Sequence, residues 1–298
     1  MIEVLGFCPK DRLVIINADD FGITHSTNQA IVDLFHQNSI TSASLMVPCL
    51  WAREAVILCQ QNHLENVGIH LTLTSAENQL YRPVCQERTL NSLITKQGFF
   101  PRDVSEVELN ADPEEVRAEL EAQIQAAISF GIDPTHLDSH AGSVMGLNHG
   151  RDFLEVVFDL CEKFELPFNL PLGILEQPFI SDGHKERFKQ RIKSARSRGI
   201  PLIDDLSGLP YPLGAGEEYE VMKKELISKI IDLKPGITQI TTHPSLATEE
   251  LKALTPHYRK REMEYRLFSD PEIKALFEKE NIKLISWKII RAFQRNSM

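Results

Sequence analysis

The feature that most constrains this chain is the run Leu13–Asn17 (LVIIN), together with the regular return of short segments like it. Four consecutive apolar residues without polar alternation suit a strand covered on both faces, which is the situation inside a parallel sheet. Further candidate strands are Ala43–Val47, Val67–Leu73, Thr135–Asp138, Pro167–Leu170, Pro201–Asp204, Ile237–Thr242 and Ile282–Trp287. Helical patterns over 25–37, 51–62, 113–130, 150–164, 183–198, 217–233 and 259–280 lie between them. Two helix starts are explicit. Asp112-Pro113-Glu114-Glu115 offers an N-cap, a proline at the first helical position and acid in the first turn. Ser269-Asp270-Pro271-Glu272 has capping-box spacing and begins a separate last helix within 259–280.

Strand–helix alternation kept up along the chain predicts a parallel sheet with crossover helices. Eight candidate strands in 298 residues point to a TIM-barrel-like (β/α) barrel of seven or eight parallel strands, with a doubly wound open sheet as the alternative. No repeat, low-complexity tract or linker divides the chain, so residues 1–298 read as a single catalytic domain. Residues 74–112 form an unusually long connection with little periodicity, a candidate substrate lid.

Charge narrows the function. Against 42 acidic residues there are 32 basic ones, a net charge of −10, which argues against a general binder of nucleic-acid backbones. No apolar run approaches the ~20 residues that cross a bilayer. The N-terminal segment lacks the features of a signal peptide. The five cysteines are scattered with no C-x-x-C pair, which fits reduced thiols and a cytoplasmic location. A homo-oligomer is compatible with all of this.

Residues able to do chemistry collect where the candidate strands end. Asn17-Ala18-Asp19-Asp20-Phe21-Gly22 follows the first strand, and His70 lies within Gly68–Leu73. His136-Leu137-Asp138-Ser139-His140 covers the fourth, Asp204-Asp205 follows the sixth, and Thr242-His243-Pro244 the seventh. Barrel enzymes build their sites at this C-terminal rim. Taken singly, an Asp-Asp pair can be a turn former, His70 a core histidine and His243 a turn residue. Asp-Phe-Gly also occurs in kinases, but the other kinase motifs are missing here. Together, carboxylates and imidazoles suit an open catalytic site for a divalent metal, with a further carboxylate and histidine to move protons. That is equipment for hydrolysing an amide or ester.

The motifs Asn17–Gly22 (NADDFG), Gly68–Leu73 (GIHLTL), His136–His140 (HLDSH) and Thr242–Pro244 (THP) stand in the order and spacing of the YdjC-like carbohydrate deacetylases, which include chitooligosaccharide deacetylases and are distantly similar to NodB-type polysaccharide deacetylases. The resemblance runs over about residues 12–288 and includes Ile40-Thr41-Ser42 and the Ser92-Leu93 to Gly98-Phe99-Phe100 loop. It implies a distorted (β/α) barrel and one divalent metal ion, magnesium or zinc, held by Asp20, His70 and His140. It implies Asp19 as general base and His243 as general acid, acting on an N-acetylated amino sugar or short oligosaccharide. Arg82 and Asp205 are candidates for orienting this small carbohydrate or the site histidines. No nucleic acid or membrane partner is expected. One departure is plain: where many relatives continue Asp-Ser-His with further histidines, this chain has Ala141-Gly142-Ser143. Other readings are a metal phosphoesterase or non-sugar amidase on the same barrel, a sugar-binding protein with a retained site, and a glycosidase using Asp19 with Asp204 or Asp205.

Overall fold

The computed structural model describes residues 1–297. Its strands are β1 (Arg12–Phe21), β2 (Ser42–Leu45), β3 (Val67–Leu71), β4 (Leu137–Ser139), β5 (Asp205–Gly208), β6 (Gly236–Thr242) and β7 (Ile282–Leu284). All pair in parallel, in the order β4-β3-β2-β1-β6-β5, and β7 pairs with the first residues of β1. The sheet curls as a distorted barrel. The expectation of seven or eight full strands is met only in part. Pro167–Leu170 and Pro201–Asp204 contribute isolated bridges, Leu137 with Phe168 and Pro171 with Ile203, in place of paired strands. Proline has no N–H to give a ladder, and Pro167, Pro171 and Pro201 punctuate both segments.

The helices are α1 (His25–His36), α2 (Ala52–Gln61), α3 (Val104–Asn110), α4 (Pro113–Ser129), α5 (Leu154–Phe164), α6 (Asp182–Ser197), α7 (Tyr219–Ile231), α8 (Glu249–Leu254), α9 (Tyr258–Ser269), α10 (Pro271–Lys279) and α11 (Trp287–Ser297). Both helix starts read from the sequence form. Asp112 accepts from the amides of Glu114 and Glu115, and Asp270 from that of Glu272, opening α4 and α10. No helix among the described residues is long and apolar enough to cross a membrane.

Side-chain alternation along the strands sorts the barrel interior into layers. On β1, Leu13 and Ile15 join Ile203, Ile237, Ile285, Trp287 and Ile290 in a small cluster. Val14 and Ile16 instead join the large core that includes apolar residues of the helices. Further along the face of Leu13 and Ile15 come Asn17 and then Asp19. Across the ladder, Leu13 pairs with Ile237, Ile15 with Gln239 and Asn17 with Thr241. The floor is therefore apolar, the middle layer is buried but polar, and the top layer carries carboxylates and imidazoles.

A hydrogen bond ties the middle layer to the apolar floor. Trp287 donates from Nε1 to Gln239 at 2.8 Å, and its indole stacks on His136 at 4.9 Å. His136 lies over Gly68, where a Cβ would fall 2.3 Å from the imidazole ring, so only glycine fits on β3 there.

The long connection 74–112 is held to the body of the protein. Tyr81, Leu90, Leu93 and Phe100 are buried in the large core, and Glu119 of α4 accepts from the amides of Val84 and Cys85. Of this segment only Ala76 and Glu77 line the cavities described next.

Candidate active site

β1 ends in a turn that sets the two aspartates apart. Asp20 adopts φ +66° and Gly22 φ +100°, and a Cβ on Gly22 would lie 3.0 Å from the Cα of Ala52. Short polar side chains such as aspartate tolerate the left-handed region better than others. Asn28 on α1 secures the turn by accepting from the Gly22 amide at 2.7 Å. Asp19 and Asp20 thus project to different neighbours.

Asp19 sits between two histidines. Its Oδ2 is 3.9 Å from His70 Nε2 and 4.0 Å from His243 Nε2, while Oδ1 accepts from Asn17 Nδ2 at 2.7 Å. Burial pushes its pKa up to about 6, with Asp138 and Asp20 adding to the effect and His70 opposing it. Asp20 behaves oppositely. Burial disfavours its charge, but Arg261 at 2.5 Å, with His243, His140 and His70 nearby, holds the carboxyl below the usual range. Its other oxygen, Oδ1, lies 3.6 Å from His70 Nε2.

His70 is locked from behind. Its Nδ1 donates to Asp138 Oδ1 at 2.7 Å, which turns Nε2 toward the two aspartates. Burial works against a charged ring here, yet Asp138 and Asp19 overcome it and raise the pKa to about 10. Asp138 is itself braced by Asn17 at 3.5 Å and approached by His136 Nε2 at 3.8 Å. His140 opens a short 3-10 turn, His140–Gly142, in which Ala141 has φ +50°. Thr74 Oγ1 pairs with His140 Nδ1 at 3.0 Å, leaving Nε2 as its available nitrogen, and the ring meets His70 edge-on at 5.4 Å. Burial lowers the His140 pKa to about 4, against the pull of Asp20.

His243 ends β6. Its backbone N–H and the Thr242 hydroxyl both donate to Glu264 Oε2, and the same carboxylate lies 3.8 Å from His243 Nδ1. That separation is too long for a hydrogen bond, and Nδ1 has no such partner among the described residues. The charge is still close enough to matter. Burial alone would lower the His243 pKa, but Glu264, with Asp20 and Asp19, raises it.

Five of the residues read from the sequence therefore converge: Asp19, Asp20, His70, His140 and His243. Asp205 lines the larger of two cavities, where it accepts from the Leu206 amide at 2.9 Å. Arg82 is exposed and stacks on Phe99 at 4.3 Å, and it lines neither cavity. The cavities, about 930 and about 420 Å³, meet at Asp19, His70 and His243. Sequence reading missed the three groups supplied from outside the strand ends. Arg261 and Glu264 are buried on α9, and Tyr211 meets His243 edge-on at 5.0 Å while accepting from Arg261 at 3.0 Å.

Among the described residues, one group of metal-type donors lies close together. Asp19, His70 and Asp138 each offer an atom within 4.8 Å of the others. In that group, however, Asp138 is already engaged by the Nδ1 face of His70, away from Asp20. On the other face, His70 Nε2 looks at Asp20 Oδ1, and His140 keeps Nε2 free. Both imidazoles are fixed through Nδ1 by an oxygen, the usual arrangement for histidines that ligate through the other nitrogen. Asp20, His70 and His140 thus present a carboxylate oxygen and two imidazole nitrogens of the kinds that ligate a divalent ion, and Asp138 orients His70.

Known proteins similar to this chain identify its family. A family model described as YdjC-like protein matches residues 13–279. A carbohydrate deacetylase of Thermoanaerobacter pseudethanolicus is 27% identical over 284 residues, covering 94% of this chain and 100% of that protein. One from Thermus thermophilus is 29% identical over 297 residues, covering 98% of each. Among solved structures, a candidate cellobiose-phosphate cleavage protein of Enterococcus faecalis superposes with a TM-score of 0.75 at 23% identity, over 94% of this chain and 99% of that one. That likeness supports the fold.

Proposed function

This chain belongs to the YdjC-like family, and from that premise we propose that it is a metal-dependent hydrolase removing the N-acetyl group from an amino sugar or short N-acetylated oligosaccharide. The observation that carries the reading is the place of the Asp19 carboxylate, about 4 Å from the Nε2 atoms of both His70 and His243, where two cavities meet. Asp20, His70 and His140 would hold one divalent ion, magnesium or zinc. When bound, such an ion supplies Lewis acidity to an acetyl carbonyl and to water.

The chain's own residues do the proton work. Asp19, with its pKa raised to about 6, remains ionised at neutral pH yet is a stronger base than an ordinary carboxylate, so it takes the proton of the attacking water. An amine leaves poorly as an anion. His243, whose pKa Glu264 helps to raise, faces the same space through Nε2 and delivers the proton to the departing nitrogen. Asn17 holds Asp19 Oδ1, leaving Oδ2 toward the cleft. Asp205, on the wall of the larger cavity, is placed to orient substrate. A reducing compartment suits the five free cysteines, so we place this activity in the cytoplasm.

The deciding experiment is acetate release from a panel of N-acetylated sugars with added magnesium, zinc or chelator. Metal-dependent release supports the reading. No release from any sugar, with release from a non-sugar amide or phosphate from a phosphoester, would replace it.

A further inference from the structure

We propose that His136 is a positioning residue for the imidazole of His70, holding Asp138 from the floor side in a buried relay that begins at Trp287 on α11. The proposal rests on the reading of Asp20, His70 and His140 as metal ligands and adds what keeps His70 in place.

His136 has no part in the proton transfers described above. It is buried, and it lines neither cavity. Thr135 donates its amide to Val67, and the His136 carbonyl accepts from Ile69, so the chain is already in register with β3 before β4 begins. Two residues apart on this extended stretch, His136 and Asp138 project to the same side.

The ring of His136 is tightly held. Trp287 stacks on it at 4.9 Å with the planes 12° apart, the missing side chain of Gly68 makes room for it, and Thr135 Oγ1 lies 3.0 Å from Nδ1. Nε2 has no hydrogen-bond partner among the described residues, and Asp138 Oδ2 lies 3.8 Å away from it. That arrangement selects a tautomer. With the proton on Nδ1, a lone pair on Nε2 would face a carboxylate oxygen in a buried site, where repulsion is poorly screened. With the proton on Nε2, Nδ1 accepts from the Thr135 hydroxyl and the N–H is aimed at Asp138. A small rotation of the carboxylate then completes the hydrogen bond.

Asp138 needs such a partner. Its Oδ1 accepts from His70 Nδ1 at 2.7 Å, but at Oδ2 the Asn17 amide is 3.5 Å away and is shared with Asp19 at 2.7 Å and Ser44 at 3.1 Å. A carboxylate with one strong contact can swing, and His70 would swing with it. The relay itself is anchored by α11. Trp287 Nε1 donates to Gln239 at 2.8 Å, and Arg291, one turn on, donates to the carbonyls of Asp133 and Pro134 just ahead of Thr135.

The test uses two substitutions in the intact protein. His136→Leu and His136→Gln both lose the ring that stacks on Trp287, and only the glutamine carries an N–H able to reach Asp138. Zinc affinity of the chelator-stripped proteins, read by competition with a chelating dye, is set beside their melting temperatures. His136→Leu should bind zinc about tenfold more weakly than the wild type. His136→Gln should recover most of that loss while melting no higher than His136→Leu. Equal affinities in the two variants, or affinities that follow the melting temperatures, would overturn the positioning role and leave His136 as core packing. The wild type offers a check that needs no variant to fold. Long-range nitrogen–proton correlation spectra should show a proton on His136 Nε2, and its absence there would overturn the proposal. If the wild type bound neither zinc nor magnesium, the metal reading would fail, and the tautomer alone would judge whether His136 holds Asp138.

Discussion

Two histidine–carboxylate pairs face each other across the barrel mouth, and they are built differently. On the β3–β4 side, His70 donates to Asp138 at 2.7 Å and both are almost fully buried. On the β6 side, Glu264 stands 3.8 Å from His243 Nδ1, and the His243 side chain is 19% exposed. The first pair fixes the ring in one orientation with Nε2 toward two carboxylates. The second fixes the backbone and the charge environment while leaving the ring less constrained. A ligand needs the first arrangement, because a metal site depends on nitrogen position. A proton donor needs the second, because its ring must approach an atom that moves during reaction.

The contrast can be broken most directly at the proposed ligands. Alanine at Asp20, His70 or His140 should strip the protein of metal and abolish turnover, as elemental analysis beside acetate release would show. Retained metal in all three variants would remove the distinction between the pairs. The next effect belongs to the two proposed proton carriers. Asp19→Asn and His243→Ala should keep metal yet lose kcat by about 10²–10⁴. Metal loss in Asp19→Asn would favour the alternative donor set of Asp19, His70 and Asp138. An activated aryl ester, whose leaving group needs no proton, should partly restore His243→Ala but not Asp19→Asn. Equal restoration would contradict the roles given to both. Smaller again is Asp138→Asn, which keeps the shape but weakens the hold on His70. Metal affinity should fall about 10–100-fold, read by competitive titration against a chelating dye. Unchanged affinity would mean that the 2.7 Å contact does not organise the site.

These differences were unevenly visible beforehand. The rising polarity along one face of β1, from Leu13 and Ile15 to Asn17 and Asp19, is written in a period of two and needs no tertiary information. His70, His140 and His243 could be read because each lies on or just past a strand whose direction fixes which end it occupies. Proline-rich segments misled the strand count, since apolar content was legible but the missing N–H groups limited pairing to bridges. Arg261 and Glu264 gave no such signal. They lie in the charged stretch Tyr258–Ser269, whose polar residues resemble a solvated helix face, yet Lys260, Arg261 and Glu264 are all buried. Only the packing of α9 over the ends of β1 and β6 brings them to the site. Arg82 is the reverse case, a charge in a conspicuous loop that the structure seats on Phe99.

The finest test of the two-pair contrast is Glu264→Gln. The amide oxygen can still accept from Thr242 and from the His243 backbone, so the end of β6 should keep its place. What disappears is the negative charge near Nδ1. The His243 pKa is raised in part by that charge, and a general acid works while protonated and fails as pH rises through its pKa. Removing the charge should therefore move the alkaline limb of the rate profile to lower pH. At neutral pH kcat on an N-acetyl sugar should drop about tenfold, a loss smaller than deleting the imidazole because Nε2 still faces the cleft. Metal content should not change, in contrast to Asp138→Asn. Hydrolysis of the activated ester should be nearly untouched, which a general loosening of α9 could not produce. If the ester and amide rates fell together and the pH profile kept its position, Glu264 would be a brace for the backbone of β6 and nothing more, and the two carboxylates would differ in kind as well as in distance.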